Sequence, residues 1–218
     1  MTKRQIVTVM TLGRAPLIVV GTALALCMVW WPLWTLWFLM LLLMGASAIT
    51  DLFDGWLARK WKVTSKFGAL ADPLMDKVFY VLTLPTAVFM AMYLAASSGE
   101  TVKDFSHAFI LLGLDVLSML RDQWVSFLRS VGALYGADVR ANWSGKFRTA
   151  MAFPVIMLVY AYLGLGFLEL NGLLIFDIPD WAWTGLFGLE IILIAVTFWT
   201  MADYTVRYWP YLQRAMKD

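Results

Sequence analysis

Long apolar stretches, divided by short polar segments, run through most of the chain. Most of them reach about 18 residues or more, which is enough for an α-helix to cross the hydrocarbon core of a membrane. Helical spans are predicted at residues 15–30, 33–50, 67–95, 107–128, 149–167 and 181–201. We therefore predict an all-α polytopic membrane protein with six transmembrane helices.

The two ends of the pattern complete this prediction. Residues 1–13 mix polar and apolar positions and include Lys3 and Arg4, so we expect an N-terminal interfacial segment before the first span. No polar linker of any length divides the rest. Residues 1–218 are accordingly predicted to form a single membrane domain.

Composition excludes an ordinary soluble domain. The chain is 61% hydrophobic and only 15% charged, whereas soluble proteins carry about 25% charged residues. Its single cysteine, Cys27, cannot form an intrachain disulfide. We expect membrane lipid as a partner and no nucleic acid.

The distribution of cations predicts the orientation. An even number of spans places both termini on one side of the membrane. Of the 17 Lys and Arg residues, only Lys103 falls on the other side. The positive-inside rule then puts the termini in the cytoplasm. We expect an integral protein of a bacterial inner membrane, with any site near residues 51–76 facing the cytoplasm.

Four carboxylates close the second predicted span and open the third. Asp51 and Asp54 are three residues apart, and Asp72 and Asp76 are four apart. On helices, these spacings place each pair on one face. A chain that leaves the membrane at Asp51 and re-enters near Asp72 could bring the two faces together.

Clustered anions at a membrane boundary repel one another, and a divalent cation would offset that repulsion. Oxygen ligands without His or Cys favour hard ions such as Mg2+, Mn2+ or Ca2+ over zinc or copper. The alternative is that the four acids are only loop charges that end two helices. The regular spacing of the acids, with Gly55 and Gly68 between them, favours the metal site.

The whole stretch resembles the signature of the CDP-alcohol phosphatidyltransferases, D-x2-D-G-x2-A-R-x8-G-x3-D-x3-D. Every position of that signature is filled, by Asp51, Asp54, Gly55, Ala58, Arg59, Gly68, Asp72 and Asp76. The resemblance implies an integral membrane enzyme that joins a CDP-linked lipid to an alcohol and releases CMP. It also implies a homodimer.

The resemblance assigns roles within the signature. One or two Mg2+ or Mn2+ ions are expected on Asp51, Asp54, Asp72 and Asp76. Asp76 is also the expected general base toward the acceptor hydroxyl, because one acid must stay partly free of metal. Contacts to the CDP-lipid are expected from Gly55, Ala58, Arg59, Gly68, Thr11 and Arg14. The last two resemble a family element N-x2-T-x2-R, in which this chain has Thr8 at the Asn position.

A second group of cations lies downstream, in RDQWVSFLR and SGKFRT. Converging arginines can clamp a phosphate. These segments resemble the R-E-x5-L-R and G-K-x-K-T elements of the phosphatidylglycerolphosphate synthases in this family, with Asp122 for Glu and Arg148 for Lys. The resemblance implies that CDP-diacylglycerol reacts with glycerol 3-phosphate. The residues expected to bind the acceptor phosphate are Arg121, Arg129, Lys146 and Arg148.

Other readings stay open. The same chemistry could serve another polar acceptor such as an inositol phosphate, since cationic residues alone do not separate the two. A divalent-ion transporter with a ring of acids is a further alternative, although such a ring does not need the fixed Gly and Ala positions. For the intramembrane acids Asp115 and Glu190, structural hydrogen bonding is slightly favoured over a functional role.

Overall fold

A computed structural model describes residues 2–63, 66–99, 102–139 and 142–218. Within these residues the chain is helical and has no strand, so the all-α prediction is confirmed. The six helices are α1 (Lys3–Trp30), α2 (Trp34–Trp61), α3 (Lys66–Ser98), α4 (Val102–Leu134), α5 (Trp143–Leu170) and α6 (Asp180–Ala215).

Five of the six helices are long and apolar enough to cross a membrane, so the chain is an integral membrane protein. These candidate spans are Gln5–Trp30, Trp34–Ala58, Lys77–Ser98, Trp143–Leu170 and Asp180–Ala215. Helix α4 is 33 residues long but falls short of this criterion over its described residues. Its polar side chains include Asp115, Arg121 and Asp122, which lower its mean hydropathy.

The helices extend beyond the predicted spans because the apolar pattern marks only the part that needs lipid. Helix α2 continues past Asp51 and Asp54 to Trp61, so both acids lie inside a helix rather than at its end. It stops where Lys62 adopts a positive φ of 53°. The Val63 N–H then bonds to the Ala58 carbonyl at 3.1 Å, in the manner of a left-handed helix cap.

The predicted interfacial segment is not separated from the first span. Residues 3–30 form one helix, which begins with a capping box at Thr2. The Gln5 N–H donates to the Thr2 hydroxyl at 3.3 Å, and the Thr2 N–H donates to the Gln5 side chain at 2.8 Å. This cap satisfies donors that a helix start otherwise leaves open.

The chain divides into two compact units. Unit 1 contains Met1–Phe109 and Ile156–Pro179, and unit 2 contains Ile110–Val155 and Asp180–Asp218. The prediction of a single domain over residues 1–218 stays a prediction.

In unit 1, buried polar groups are met by helix carbonyls. The Tyr160 hydroxyl donates to the Thr83 carbonyl at 2.7 Å, and the Trp37 indole N–H donates to the Ala161 carbonyl at 3.1 Å. Gly164 makes room for the same indole: a Cβ built on it would lie 2.4 Å from Trp37 Cδ1. The glycine is therefore a packing requirement at this crossing.

In unit 2, the apolar core forms around Val125, Leu128, Tyr204 and Tyr208. The Tyr208 hydroxyl donates to the Asp138 carbonyl at 3.0 Å and so ties the segment after α4 to α6. The Trp124 indole N–H donates to the Thr205 hydroxyl at 2.8 Å. These contacts fix the part of α6 that borders the start of α5.

We expect Gly164→Ala to destabilise the protein, because the added methyl group clashes with an indole that its hydrogen bond holds in place. Overpacking of this kind costs about 1–3 kcal/mol. The matched control is Gly188→Ala, since a Cβ at Gly188 meets nothing within 4 Å among the described residues. Thermal unfolding in detergent should show a lower midpoint for Gly164→Ala only. Equal midpoints for the two variants would contradict this packing argument.

Candidate active site

The first half of the signature faces α1 through two paired contacts. The Arg14 Nη1 group donates to Asp51 Oδ1, and the Thr11 hydroxyl donates to Asp54 Oδ2 at 2.7 Å. Thr11 and Arg14 are three residues apart on α1, so they lie on one face of that helix. Asp51 and Asp54 have the same spacing on α2. The structure thus brings together four residues that the sequence predicts for one site.

The two acids differ in exposure. The Asp54 residue is 5% exposed, whereas the Asp51 side chain is 45% exposed. Thr11 and Arg14 are buried. Burying a carboxylate is costly unless charged or hydrogen-bonding groups meet it. Arg14 and Thr11 supply those groups, so the face keeps one protected acid and one accessible acid.

The remaining signature positions are described only in part. Gly55 and Ala58 are half-buried in α2. Positions 68, 72 and 76 lie in α3, and position 59 lies in α2. The side chains of Arg59, Asp72 and Asp76, like the surroundings of Gly68, lie outside what the structure describes. The predicted cluster of four acids and the role of Asp76 therefore stay predictions.

The donor chemistry of this face suits a hard divalent cation, because Asp51 and Asp54 offer carboxylate oxygens. Among the described side chains, no group of three or more His, Cys, Asp or Glu could hold a metal ion. Two of the four predicted ligands are not in that set. The residues present fit a hard cation in kind, and the ligand number stays a prediction.

A second polar cluster lies in unit 2, where two buried arginines share one carboxylate. Arg121 of α4 is 8% exposed and Arg148 of α5 is 2% exposed. Their Nη1 groups lie 2.9 Å and 3.4 Å from Asp122 Oδ1. A guanidinium has five N–H donors and can bind several oxygens at once, so paired arginines of this kind suit an anionic ligand.

Two threonines of α6 hold the same arginines from the other edge. Arg121 Nε donates to the Thr200 hydroxyl at 3.3 Å, and Arg148 Nε donates to the Thr197 hydroxyl at 3.4 Å. The Arg121 guanidinium also lies 5.4 Å from the centre of the Tyr204 ring. These α6 residues were not predicted from the sequence, because hydroxyls scattered in an apolar span are a weak signal. Their spacing of three was the one available clue.

The start of α5 is fixed by Asp203 of α6. Asp203 Oδ2 accepts hydrogen bonds from Asn142 Nδ2 at 2.6 Å and from the Ser144 hydroxyl at 2.5 Å. The neighbouring Gly145 allows close approach: its Cβ would lie 2.8 Å from the Tyr204 hydroxyl and 3.4 Å from Arg121 Nη2. Lys146 is exposed in the same first turn.

Arg129 makes a different contact from the other predicted phosphate ligands. Its Nε donates to the Val139 carbonyl at 2.9 Å, and its Nη2 donates to the same carbonyl. This side chain therefore anchors the segment after α4. Its predicted contact with the acceptor phosphate stays a prediction.

The two intramembrane acids are both buried in unit 2. Glu190 of α6 is fully buried. Asp115 Oδ1 has no hydrogen-bond partner among the described residues. The roles of both acids stay open.

Comparison with known proteins identifies a family. A sequence model of the CDP-alcohol phosphatidyltransferases matches residues 5–199. Over 200 residues the chain is 31% identical to a Pectobacterium atrosepticum protein named CDP-diacylglycerol--glycerol-3-phosphate 3-phosphatidyltransferase, covering 90% of this chain and 91% of that one. A Sodalis glossinidius protein of the same name is 30% identical over 163 residues, which is 72% of this chain and 71% of that protein.

A Cereibacter sphaeroides protein with that name is 31% identical over 136 residues, which is 62% of this chain and 55% of the relative. No solved structure matches the chain.

We expect Thr11→Val to lower stability by about 1–3 kcal/mol, because the buried Asp54 carboxylate loses a donor. Thr22→Val is the matched control on α1, since the buried Thr22 hydroxyl donates at 2.7 Å to the Ile18 carbonyl of its own helix. Thermal unfolding in detergent measures both. A shift for Thr22→Val as large as that for Thr11→Val would contradict a special role for the contact with Asp54.

Proposed function

The chain belongs to the CDP-alcohol phosphatidyltransferase family, and on that premise we propose that it transfers the phosphatidyl group of CDP-diacylglycerol to glycerol 3-phosphate. The products are phosphatidylglycerol phosphate and CMP. The observation that carries the choice of acceptor is the pair of buried arginines, Arg121 and Arg148, which both lie against Asp122. The names of the relatives support the same acceptor.

The acceptor phosphate suits the cluster in unit 2. Guanidinium groups bind phosphate through paired N–H donors, and they do so best where water is excluded. A phosphate dianion offsets part of the cost of burying these two cations. Lys146 and the first turn of α5 add positive potential, because helix N-termini favour anions. We assign acceptor binding to Arg121, Lys146 and Arg148, with Arg129 as a further candidate.

The reaction is a substitution at the lipid-bearing phosphorus. The acceptor hydroxyl oxygen forms a bond to that phosphorus, the bond from phosphorus to the CMP oxygen breaks, and CMP leaves with the electron pair. The hydroxyl proton passes to the Asp76 carboxylate, our proposed base. Thr11 and Arg14 orient Asp54 and Asp51. The residues proposed to contact the CDP-lipid are Gly55, Ala58, Arg59, Gly68, Thr11 and Arg14.

The family is generally dependent on divalent metal. We propose that Asp51, Asp54, Asp72 and Asp76 hold one or two Mg2+ or Mn2+ ions. When bound, such ions neutralise charge on the pyrophosphate and its leaving group.

The cellular setting follows from charge and chemistry. We propose that the protein is a homodimer in a bacterial inner membrane and that its active site faces the cytoplasm. All but one of the Lys and Arg residues fall on the predicted cytoplasmic side. Nucleotide-linked lipids and phosphorylated alcohols are also cytoplasmic compounds.

An acceptor panel tests the proposal. Purified protein with CDP-diacylglycerol should release CMP with glycerol 3-phosphate and should do so only when Mg2+ or Mn2+ is added. Inositol phosphate is the second candidate, because the arginine cluster suits any phosphate monoester. Serine and free inositol are the controls without phosphate. Equal turnover with a free alcohol would overturn the acceptor assignment, and metal flux without CMP release would favour a transporter.

Asp76→Asn should abolish CMP release, because an amide cannot take up the hydroxyl proton at neutral pH. Binding of CDP-diacylglycerol should fall by less than about tenfold, since the other acids stay in place. Asp177→Asn is the control, as Asp177 is an exposed acid between α5 and α6. A turnover near that of the unmodified protein would remove Asp76 as the base.

A further inference from the structure

Helix α6 carries no residue of the predicted site, yet it presents four polar side chains on one face. Thr200 lies three residues after Thr197, and Asp203 and Tyr204 lie three and four residues after Thr200, so the four side chains fall along one side of the helix. We call these four residues the α6 stripe. Both threonines are fully buried and Tyr204 is buried as well. Polar groups kept at such positions require partners.

Beyond α6 itself, the partners described for the α6 stripe are the two buried arginines and residues at the start of α5. Thr197 meets Arg148, and Thr200 meets Arg121. Asp203 and Tyr204 both contact Asn142: Asp203 accepts from its side chain, and the Tyr204 hydroxyl accepts from its backbone N–H at 3.0 Å. One helix face therefore contacts both buried arginines and the first residues of α5.

The threonine hydroxyls can act only as acceptors toward the arginines. A hydroxyl has one proton to donate. Thr197 donates it to the Leu193 carbonyl at 2.7 Å, and Thr200 donates it to the Thr197 carbonyl at 2.9 Å. The lone pairs that remain receive the Nε–H of each arginine. This contact fixes the Nε edge of each guanidinium and so fixes the direction of its terminal amino groups.

Asp203, near the C-terminal end of the stripe, fixes the start of the helix that carries Lys146 and Arg148. Asp203 binds Asn142 and Ser144, the residues at the start of α5. Lys146 and Arg148 follow within the next turn. The Tyr204 ring beneath Arg121 adds a cation–π contact.

We propose that the α6 stripe is the positioning scaffold of the acceptor-phosphate site. Thr197 and Thr200 set the orientation of the two guanidinium groups, and Asp203 sets the start of α5. These are positioning residues, because they act on the phosphate through the arginines. Arginine side chains lose rotamer freedom when they bind a ligand, which lowers affinity. Where a scaffold orders the side chains during folding, binding no longer carries that entropy cost. The inference rests on the proposed function.

The test compares two Michaelis constants of the purified full-length enzyme with Mg2+. Thr200→Val and Thr197→Val keep the side-chain shape and remove the acceptor. Each should raise the KM for glycerol 3-phosphate on the order of tenfold, the loss expected for one hydrogen bond to a charged group. The KM for CDP-diacylglycerol should change by less than about twofold. Thr200→Ser, which keeps the hydroxyl, should restore the glycerol 3-phosphate KM.

Thr205→Val is the matched control. Thr205 lies on the same helix, its hydroxyl donates to the Met201 carbonyl at 2.8 Å, and it accepts from the Trp124 indole rather than from an arginine. Its loss should lower thermal stability and leave both KM values near those of the unmodified enzyme.

The inference is overturned if the Thr200→Val and Thr197→Val variants behave like Thr205→Val. It is also overturned if both KM values rise together, or if Thr200→Ser fails to restore the glycerol 3-phosphate KM. Should the valine variants not fold, Asp203→Asn gives the same readout, with a selective rise in the acceptor KM expected. The absence of that rise overturns the inference.

The acceptor panel with the unmodified enzyme separates the two proposals. If that enzyme uses a different phosphorylated acceptor, the proposed function fails and the KM comparison is made with that acceptor. If it uses only unphosphorylated alcohols, both proposals fail.

Discussion

The constraint behind both polar clusters is the cost of placing charge among apolar helices. A charged side chain at the centre of a membrane helix costs about 2.5–3.5 kcal/mol on insertion scales, and more if it stays unpaired. The chain meets this cost in pairs. Arg14 lies against Asp51, Thr11 against Asp54, and Arg121 and Arg148 lie against Asp122. Each charged group is thereby given a fixed direction as well as a partner.

In unit 1 this constraint explains the spacing of the signature. Two residues three apart on α2 meet two residues three apart on α1, so both contacts form only if the helices keep one relative register. The spacing of the motif therefore constrains how α1 and α2 pack against each other. The pairing also separates the two acids by exposure, since Asp54 is buried and the Asp51 side chain is half-exposed.

Much of the fold was predictable, because lipid imposes a length and a polarity on each span. Six helices form near the predicted positions, and Asp51 and Asp54 meet Arg14 and Thr11. Helix ends were less predictable, since polar residues such as those of 51–61 continue a helix as readily as they end it. The α6 threonines were not predicted for a different reason. A threonine in an apolar helix can bond a carbonyl of that same helix, so its presence in the sequence does not indicate a partner elsewhere. Arg129 shows that a motif match does not fix a contact: it was predicted to bind phosphate, and its guanidinium donates to the Val139 carbonyl.

The use of hydroxyls on α6, where acids would bind arginine more tightly, has its own physical logic. Arg121 and Arg148 both lie against Asp122. A carboxylate in place of either threonine would lower the positive charge at the arginines and compete with any incoming phosphate. A threonine hydroxyl accepts the Nε–H without adding charge, and its own proton is already committed to the helix. The arginines are thus held in place while their attraction for an anion is preserved, which is what a site for a charged acceptor inside a membrane protein requires.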